Sequence, residues 1–325
     1  MKPYIFISRK LPEEVVGPLQ DKYEVSMWDK EDVVVPRHRL LEEAKRADAL
    51  LTMLSEQVDE ELLSVAKNVK VIANCAVGYD NIDVPAATRC GVAICNTPDV
   101  LTDTTADLTF ALLMATARRI VESAEFIKNG SWKSWSPMLL AGHDIHHKKI
   151  GIVGMGNIGV AVAKRAFGFD MEILYHNRTR KVEAEERLGA RYCSFDVLIE
   201  TADFVVCLTP LTAETKNLFT RDVFKRMKKT AIFINASRGP VVNEKDLFDA
   251  LETGEIAAAG LDVFEKEPID HQHPLLKLAN VVALPHIGSA TVETRMSMMK
   301  LCVDNIDAIL SGEEPKTLVN REWKK

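Results

Sequence analysis

Short, wholly apolar runs alternate along the chain with amphipathic segments of helical period, such as Arg37–Arg46 and Asp59–Ala66. Strands that are apolar on both faces need helices on both sides of their sheet. The alternation therefore predicts an α/β fold with parallel sheets built from βαβ units. The runs predicted as strands are Tyr4–Ile7, Ala49–Met53, Val69–Asn74, Val92–Cys95, Lys149–Val153, Glu172–Tyr175, Phe204–Leu208, Ala231–Asn235, Ala257–Leu261 and Val281–Leu284.

A long helical segment, predicted over residues 102–128, separates the strands into two groups. It ends at Asn129-Gly130, where glycine suits a left-handed position at a helix C-terminus. The length of 325 residues is typical of about two domains. Since the last helical segment, 291–310, is expected to return to the first group, we predict a substrate-binding domain of residues 1–101 plus 290–325. Residues 102–289 are predicted to form a dinucleotide-binding domain.

Composition excludes several classes of protein. Hydrophobic residues make up 47% of the chain, which is too many for a disordered one. No charge-free apolar run reaches the ~18 residues of a membrane-spanning helix, and the start lacks the apolar core of about 7–15 residues of a secretory signal. A net charge of -6 argues against a nucleic-acid partner. The scattered cysteines form no Cys-x-x-Cys pair, so we expect reduced thiols and a cytoplasmic location.

One glycine-rich turn follows a predicted strand directly and opens an apolar helix. It has the pattern G-x-G-x-x-G, in which the glycines permit a tight turn, close approach of a pyrophosphate and close packing of helix on strand. Exposed amides at the start of the helix attract the diphosphate. The predicted cofactor-binding residues of this turn are Gly154, Gly156, Asn157, Ile158 and Gly159.

The end of the next strand bears on the choice of cofactor. A carboxylate at this position binds the ribose 2′-hydroxyl of NAD, but no Asp or Glu occurs between Glu172 and Glu183. The strand is followed by Asn177-Arg178-Thr179-Arg180, whose guanidinium groups suit a 2′-phosphate. The sequence therefore predicts a preference for NADPH over NADH. The alternative is a solvated basic loop in an enzyme that uses both cofactors.

Polar residues follow each of the late strands. Because ligands of open parallel sheets bind beyond the carboxyl ends of the strands, these residues are expected to lie near the cofactor. The residues at these strand ends that are predicted to contact it, polar or not, are Leu208, Pro210, Ala236, Arg238, Asp262, His286 and Gly288. Reduction of a ketone needs a proton donor that titrates near neutrality, which suits His286. Glu267 is the candidate to orient it, and Arg238 to bind a substrate carboxylate and polarise the adjacent carbonyl.

With these motifs in this order, the chain resembles the D-isomer-specific 2-hydroxyacid dehydrogenases, and within them most closely the glyoxylate/hydroxypyruvate reductases. The stretches that carry the resemblance are Val77–Asp83, Gly154–Gly159, Ser237–Gly239, Gly260–Phe264 with Glu267-Pro268, and Pro285–Ala290. The resemblance implies two Rossmann-like or flavodoxin-like domains with an active-site cleft between them. It also implies a D-stereospecific product and a homodimer.

The resemblance further assigns roles to individual residues. It implies a catalytic triad of Arg238, Glu267 and His286. It implies that the backbone amides of Val77 and Gly78 bind the substrate carboxylate and that Ser289 lies near the substrate. It also implies that Asp262 contacts the nicotinamide carboxamide of the cofactor and that Thr105 lies close to the cofactor.

The predicted function is reduction of a small 2-keto acid, such as glyoxylate or hydroxypyruvate, by NADPH, with NADH possible. Alternatives are another dehydrogenase of the family, such as a 2-ketogluconate reductase, or a dinucleotide-sensing protein like the corepressors that share this fold. No metal site is expected, since neither Gly142–His147 nor His271–His273 completes a shell of ligands. Trp132 and Trp135 are expected to pack within the chain rather than to reach a neighbouring subunit.

Overall fold

The computed structural model describes residues 2–324. The chain divides into two compact units. The first comprises Met1–Leu101 and Ala290–Lys325, and the second comprises Thr102–Ser289.

The first unit contains a parallel sheet of five strands in the order β2-β1-β3-β4-β5. Its strands are β1 (Tyr4–Ile7), β2 (Glu24–Met27), β3 (Ala49–Thr52), β4 (Val71–Asn74) and β5 (Ala93–Cys95). The helices between them are α1 (Glu13–Lys22), α2 (Arg37–Ala44), α3 (Glu60–Val65) and α4 (Val84–Arg89). This strand order is that of flavodoxin-like sheets.

The second unit contains a parallel sheet of seven strands in the order β12-β11-β10-β9-β6-β7-β8. Its strands are β6 (Lys149–Val153), β7 (Glu172–His176), β8 (Arg191–Tyr192), β9 (Phe204–Cys207), β10 (Ile232–Asn235), β11 (Ala258–Leu261) and β12 (Val281–Ala283). The helices are α5 (Thr102–Ala117), α6 (Ile120–Lys128), α7 (Asn157–Phe167), α8 (Val182–Leu188), α9 (Phe195–Thr201), α10 (Arg221–Arg226) and α11 (Glu244–Glu252). With β6 between β7 and β9, this is the Rossmann order with one added strand.

Successive residues of the central strands face two different cores. Phe204 and Val206 pack with α5 and α7 on one side of the second sheet, whereas Val205 and Cys207 pack with α9 on the other. A buried parallel sheet needs this arrangement, because its side chains alternate between two covered faces. The predicted α/β class with two parallel sheets is confirmed.

The first unit is completed by α12 (Val292–Leu310) and the segment that follows it. The hydroxyl of Tyr23 donates a hydrogen bond to Asp307 at 2.7 Å, which joins α1 to α12. Beyond the helix, the amide of Val319 bonds to the carbonyl of Ile94 at 2.8 Å. The side chain of Asn320 accepts from the amide of Ile94, also at 2.8 Å. This segment therefore covers the open edge of β5, whose backbone groups need partners.

All of the predicted strands are present, with ends that differ by at most two residues. The prediction of one helix over residues 102–128 is wrong, since the structure has two helices, α5 and α6, in that range. Arg119 between them has a left-handed φ of 51°. The carbonyl of Ala117 accepts from the amide of His143 at 2.9 Å instead of continuing the helix.

The side chains of Trp132 and Trp135 lie at the surface. The prediction that they pack within the chain is wrong, because they are 55% and 76% exposed.

Within residues 2–324, no helix combines the length and the apolar character needed to cross a bilayer.

Candidate functional site

The glycine-rich turn lies at the point where the strand order of the second sheet reverses. Gly154 follows β6 with a φ of 102°, and a Cβ there would lie 2.6 Å from the carbonyl carbon of Leu208 and the amide nitrogen of Thr209 after β9. A Cβ on Gly159 would lie 2.3 Å from the carbonyl oxygen of Gly154. Both positions therefore require glycine so that helix α7 can start directly against the turn.

Gly156 differs from these two glycines because its backbone faces open space. A Cβ there would meet no atom within 4 Å, and φ is an ordinary -77°. The residue caps α7 without a side chain, and the first turn of the helix, which includes Asn157 and Ile158, has no acidic residue. A helix start that has no side-chain cap and no acidic residue in its first turn fits a pyrophosphate, which would approach over Gly156.

The loop after β7 contains two arginines in different states. Arg180 forms an ion pair with Glu185, a residue of α8 that the sequence analysis did not weigh. This pairing is the main cause of the lowered pKa of Glu185. Arg178 is exposed and forms no ion pair within residues 2–324, although its charge contributes to the lowered pKa of Glu214. The side chain of Asn177 donates to the carbonyl of Thr179 at 2.9 Å and so shapes the loop.

Glu267 and His286 are in direct contact. Oε2 of Glu267 lies 2.7 Å from Nδ1 of His286, and Oε1 accepts from the amide of Phe264 at 2.9 Å. Burial tends to raise the pKa of Glu267, but the hydrogen bond and charge of His286, the Phe264 amide and the charge of Arg238 outweigh it. The net pKa lies below the usual carboxyl value. The carboxylate therefore holds one ring nitrogen and leaves Nε2 as the atom able to pass a proton.

A buried carboxylate fixes the segment that carries His286. Asp262 is 1% exposed, and its Oδ1 accepts from the amide of Ile287 at 2.8 Å. His286 has a left-handed φ of 53°, which few residue types adopt, so the segment needs such an anchor. Burial raises the pKa of Asp262, while the amides of Ile287 and Gly288 and the charge of His286 oppose the rise.

Thr105 of α5 and Gly288 lie beside this carboxylate. A Cβ on Gly288 would be 3.3 Å both from Oδ2 of Asp262 and from Cγ2 of Thr105. The structure therefore brings together three residues predicted from distant parts of the sequence. The predicted contact of Asp262 with the nicotinamide remains a prediction.

Arg238 leaves β10 on a turn held by the strand's own last side chain. Nδ2 of Asn235 donates to the carbonyl of Arg238 at 3.1 Å, and Oδ1 of Asn235 accepts from the amide of Ser237 at 3.1 Å. A Cβ on Gly239 would lie 1.8 Å from the carbonyl carbon of Phe264, so only glycine fits between Arg238 and the loop that leads to Glu267. Asn235 and Gly239 are thus supporting residues that strand-end chemistry alone did not reveal.

In the first unit, the loop after β4 presents two backbone amides. Asn74 Nδ2 donates to the carbonyl of Gly78 at 3.1 Å, and Asn96 Nδ2 donates to the carbonyl of Val77 at 2.8 Å. Within residues 2–324, the amides of Val77 and Gly78 donate no hydrogen bond. Two adjacent amides of this kind form a small anion-binding nest. The asparagines that shape the loop were missed, because their partners lie on the backbone and not in a motif.

The remaining predicted residues occupy the same edge of the second sheet. Leu208 continues from β9, its amide bonding to the carbonyl of Val153 at 2.8 Å, and Pro210 follows two residues later. Ala236 follows β10, and its amide approaches the carbonyl of Cys207 at 3.4 Å. Ser289 is half-buried at the end of the unit. Residues 2–324 contain no group of three or more His, Cys, Asp or Glu side chains placed to hold a metal ion.

Comparison with known proteins places this site in a family. Residues 110–288 match the family model described as D-isomer specific 2-hydroxyacid dehydrogenase, NAD binding domain. A glyoxylate reductase of Pyrococcus furiosus is 49% identical over 99% of this chain and 96% of its own. A glyoxylate/hydroxypyruvate reductase B of Escherichia fergusonii is 48% identical over the full length of both chains.

A solved structure is similar to this chain over its full length. The NADPH-dependent glyoxylate/hydroxypyruvate reductase of Sinorhizobium meliloti, in complex with NADP and malonate, matches with a TM-score of 0.85. It is 32% identical, and the match covers 100% of this chain and 98% of that one.

The different surroundings of Gly154 and Gly156 predict opposite effects of alanine. Gly154→Ala forces a left-handed alanine against backbone, so it should lower the free energy of unfolding by about 1–3 kcal/mol. Gly156→Ala should change stability little but weaken dinucleotide binding about tenfold, since its Cβ would occupy the approach to the pyrophosphate. Thermal unfolding without ligand and fluorescence titration with NADPH and NADH measure the two effects. Unchanged affinity in Gly156→Ala would contradict the assigned approach.

Proposed function

The chain belongs to the D-isomer-specific 2-hydroxyacid dehydrogenases, and we propose that this enzyme reduces a small 2-keto acid to the D-2-hydroxy acid with NADPH as the preferred reductant. Glyoxylate and hydroxypyruvate are the proposed substrates. The observation that carries the proposal is the 2.7 Å contact of Glu267 with His286, beside a glycine turn that fits a dinucleotide. The names of the relatives support the choice of substrates.

The side chains divide the work of the reaction. When bound, the reduced nicotinamide supplies a hydride to the carbonyl carbon of the keto acid. His286 gives a proton from Nε2 to the carbonyl oxygen, which would otherwise carry the negative charge. Glu267 holds Nδ1 and faces the protonated ring with a negative charge, so the imidazole keeps its orientation through the proton transfer.

Two groups are proposed to bind the substrate before this step. The amides of Val77 and Gly78 donate hydrogen bonds to the carboxylate, and they have no other acceptor within residues 2–324. Arg238 polarises the keto oxygen with its positive charge. Ser289 lies near the substrate in this proposal. These assignments do not fix how large a side chain the substrate can carry. A panel of 2-keto acids that includes 2-ketogluconate measures this limit.

The preference for NADPH rests on the loop after β7. No carboxylate follows this strand to bind a ribose 2′-hydroxyl, and the exposed Arg178 is available for a 2′-phosphate. Arg180 contributes less, because Glu185 already offsets its charge. The relative from S. meliloti is described as NADPH-dependent, which agrees with this proposal. NADH remains a possible second cofactor.

We also propose that the enzyme works as a homodimer in the cytoplasm with no nucleic-acid or membrane partner. Exposed apolar side chains on the second unit support a dimer, since surfaces of this kind in a soluble domain are commonly covered. They are Trp132, Trp135, Met138 and Leu139.

The proposed reaction is tested by mixing the protein with NADPH or NADH and a panel of acids. Glyoxylate, hydroxypyruvate, pyruvate and 2-ketogluconate should be compared by kcat/KM from the loss of nicotinamide absorbance. We expect the smallest acids with NADPH to give the highest values. If no 2-keto acid oxidises either cofactor, the proposed function is wrong.

Separate substitution of Arg178 and Arg180 distinguishes their contributions to cofactor preference. Arg178→Ala should lower kcat/KM with NADPH about tenfold, the effect of losing one charge-assisted contact to phosphate, and leave the value with NADH nearly unchanged. Arg180→Ala is the matched control and should have a smaller effect, because Arg180 is paired with Glu185. Equal losses with both cofactors in Arg178→Ala would show that the arginine does not read the 2′-phosphate.

The contact of Glu267 with His286 predicts a change in the pH dependence of the rate. Glu267→Gln removes the negative charge that faces the protonated imidazole, so activity should be lost at lower pH on the alkaline side of the profile. Because the pKa of Glu267 lies below its usual value, the native carboxylate stays charged through mildly acid pH. Glu265→Gln, an exposed neighbour, is the control with the same change of charge. A pH profile of Glu267→Gln that matches this control would refute the role.

A further inference from the structure

The two amides proposed to bind the substrate carboxylate belong to peptide groups whose carbonyl oxygens are held by hydrogen bonds. The carbonyl of Ala76 accepts from the amide of Thr97 at 2.8 Å, and the carbonyl of Val77 accepts from Nδ2 of Asn96 at 2.8 Å. Both peptides are trans. In a trans peptide the N–H points opposite to the C=O, so the amides of Val77 and Gly78 both point away from the Asn96–Thr97 segment.

Asn96 is itself held by a residue from the far end of the chain. The hydroxyl of Thr317 donates to the carbonyl of Asn96 at 2.6 Å. The same hydroxyl accepts from Nδ2 of Asn305 on α12 at 2.8 Å, and the amide of Thr317 donates to Oδ1 of Asn305 at 3.1 Å. Asn305 is fully buried, so this chain of hydrogen bonds starts from a fixed point.

We propose that Asn96 and Thr317 are positioning residues that set the direction of the two carboxylate-binding amides. The proposal rests on the proposed function, since it deepens the account of the same loop. Neither side chain needs to touch the substrate. Asn96 fixes the peptide plane between Val77 and Gly78, and Thr317 fixes the backbone of Asn96. An anion bound by two amides depends on their angle, so a small rotation of one plane weakens both contacts.

The neighbouring residue Asn320 shows what a purely structural role looks like. Its side chain bonds to the backbone of Val92 at 2.9 Å and of Ile94 at 2.8 Å, and to the hydroxyl of Thr88 at 2.9 Å. Ile94 lies on β5, Thr88 lies on α4 and Val92 directly precedes β5, so none of them belongs to the loop of residues 76–78. Thr88 therefore offers a matched control for Thr317, because each hydroxyl donates to a backbone carbonyl and accepts from the side-chain amide of an asparagine.

The test compares Asn96→Leu and Thr317→Val with Thr88→Val as the control. Leucine and valine keep the shape of the replaced side chains but cannot donate a hydrogen bond. Asn96→Leu should raise KM for glyoxylate about tenfold, and Thr317→Val a few-fold, with kcat and the Kd of NADPH close to wild type. Thr88→Val should leave all three values unchanged. Thr317→Ser, which keeps the hydroxyl, should restore the wild-type KM.

Binding of oxamate, a non-reducible keto-acid analogue, gives a second measurement that does not depend on turnover. Calorimetry with the NADPH-loaded protein should show weaker oxamate binding in Asn96→Leu and Thr317→Val, and wild-type binding in Thr317→Ser. If Asn96→Leu does not fold, the valine and serine variants at position 317 decide alone. Equal KM and oxamate affinity in Thr317→Val and wild type would overturn the proposal. An enzyme that binds oxamate but reduces no keto acid would refute the function while leaving this test intact.

Discussion

Hydrogen bonds from buried side chains to loop backbone hold the carboxyl ends of both parallel sheets in shape. Asp262 holds the amide of Ile287, Asn235 holds the carbonyl of Arg238, and Asn74 holds the carbonyl of Gly78. Each of these three side chains is at most 1% exposed. A buried polar group without a partner is costly, so each loop is confined to the conformation that satisfies its anchor. Loops that would otherwise be mobile thus carry side chains and amides in fixed directions.

The parts of the fold that could be predicted are those determined by residues close together in the sequence. Central strands are apolar on both faces and short, so composition alone located them, and the glycines of the turn at 154–159 follow from backbone geometry. Strands β2 and β8 were missed because they lie at sheet edges and are largely polar, with Glu24 and Arg191 exposed. The order of polar residues after the strands predicted that Glu267 and His286 would meet, although no local pattern gives their distance.

What could not be predicted from the sequence depends on contacts that no motif in the chain signals. Arg180 looks like a free cation until α8 brings Glu185 to it. The turn at Arg119 appears only because the segment at His143 takes the carbonyl of Ala117. Thr317 and Asn96 are separated by 221 positions, and neither residue type signals a role in the loop after β4. A hydrogen bond from a side chain to backbone far away in the sequence, such as that from Thr317 to Asn96, leaves no local pattern by which a single sequence could reveal it.

An acidic protein with anionic ligands needs its positive potential to be local. The net charge is -6, but salt screens exposed charges beyond about 8 Å at physiological ionic strength. The groups that face the ligands therefore decide the outcome. The carboxylate of Glu267 pairs with His286, and that of Asp262 accepts a hydrogen bond from a backbone amide. Neither carboxylate therefore presents an uncompensated charge. In the proposed function, Arg238, Arg178 and the amides of Val77 and Gly78 supply the local positive potential for a keto acid or a phosphate, whatever the sign of the whole chain.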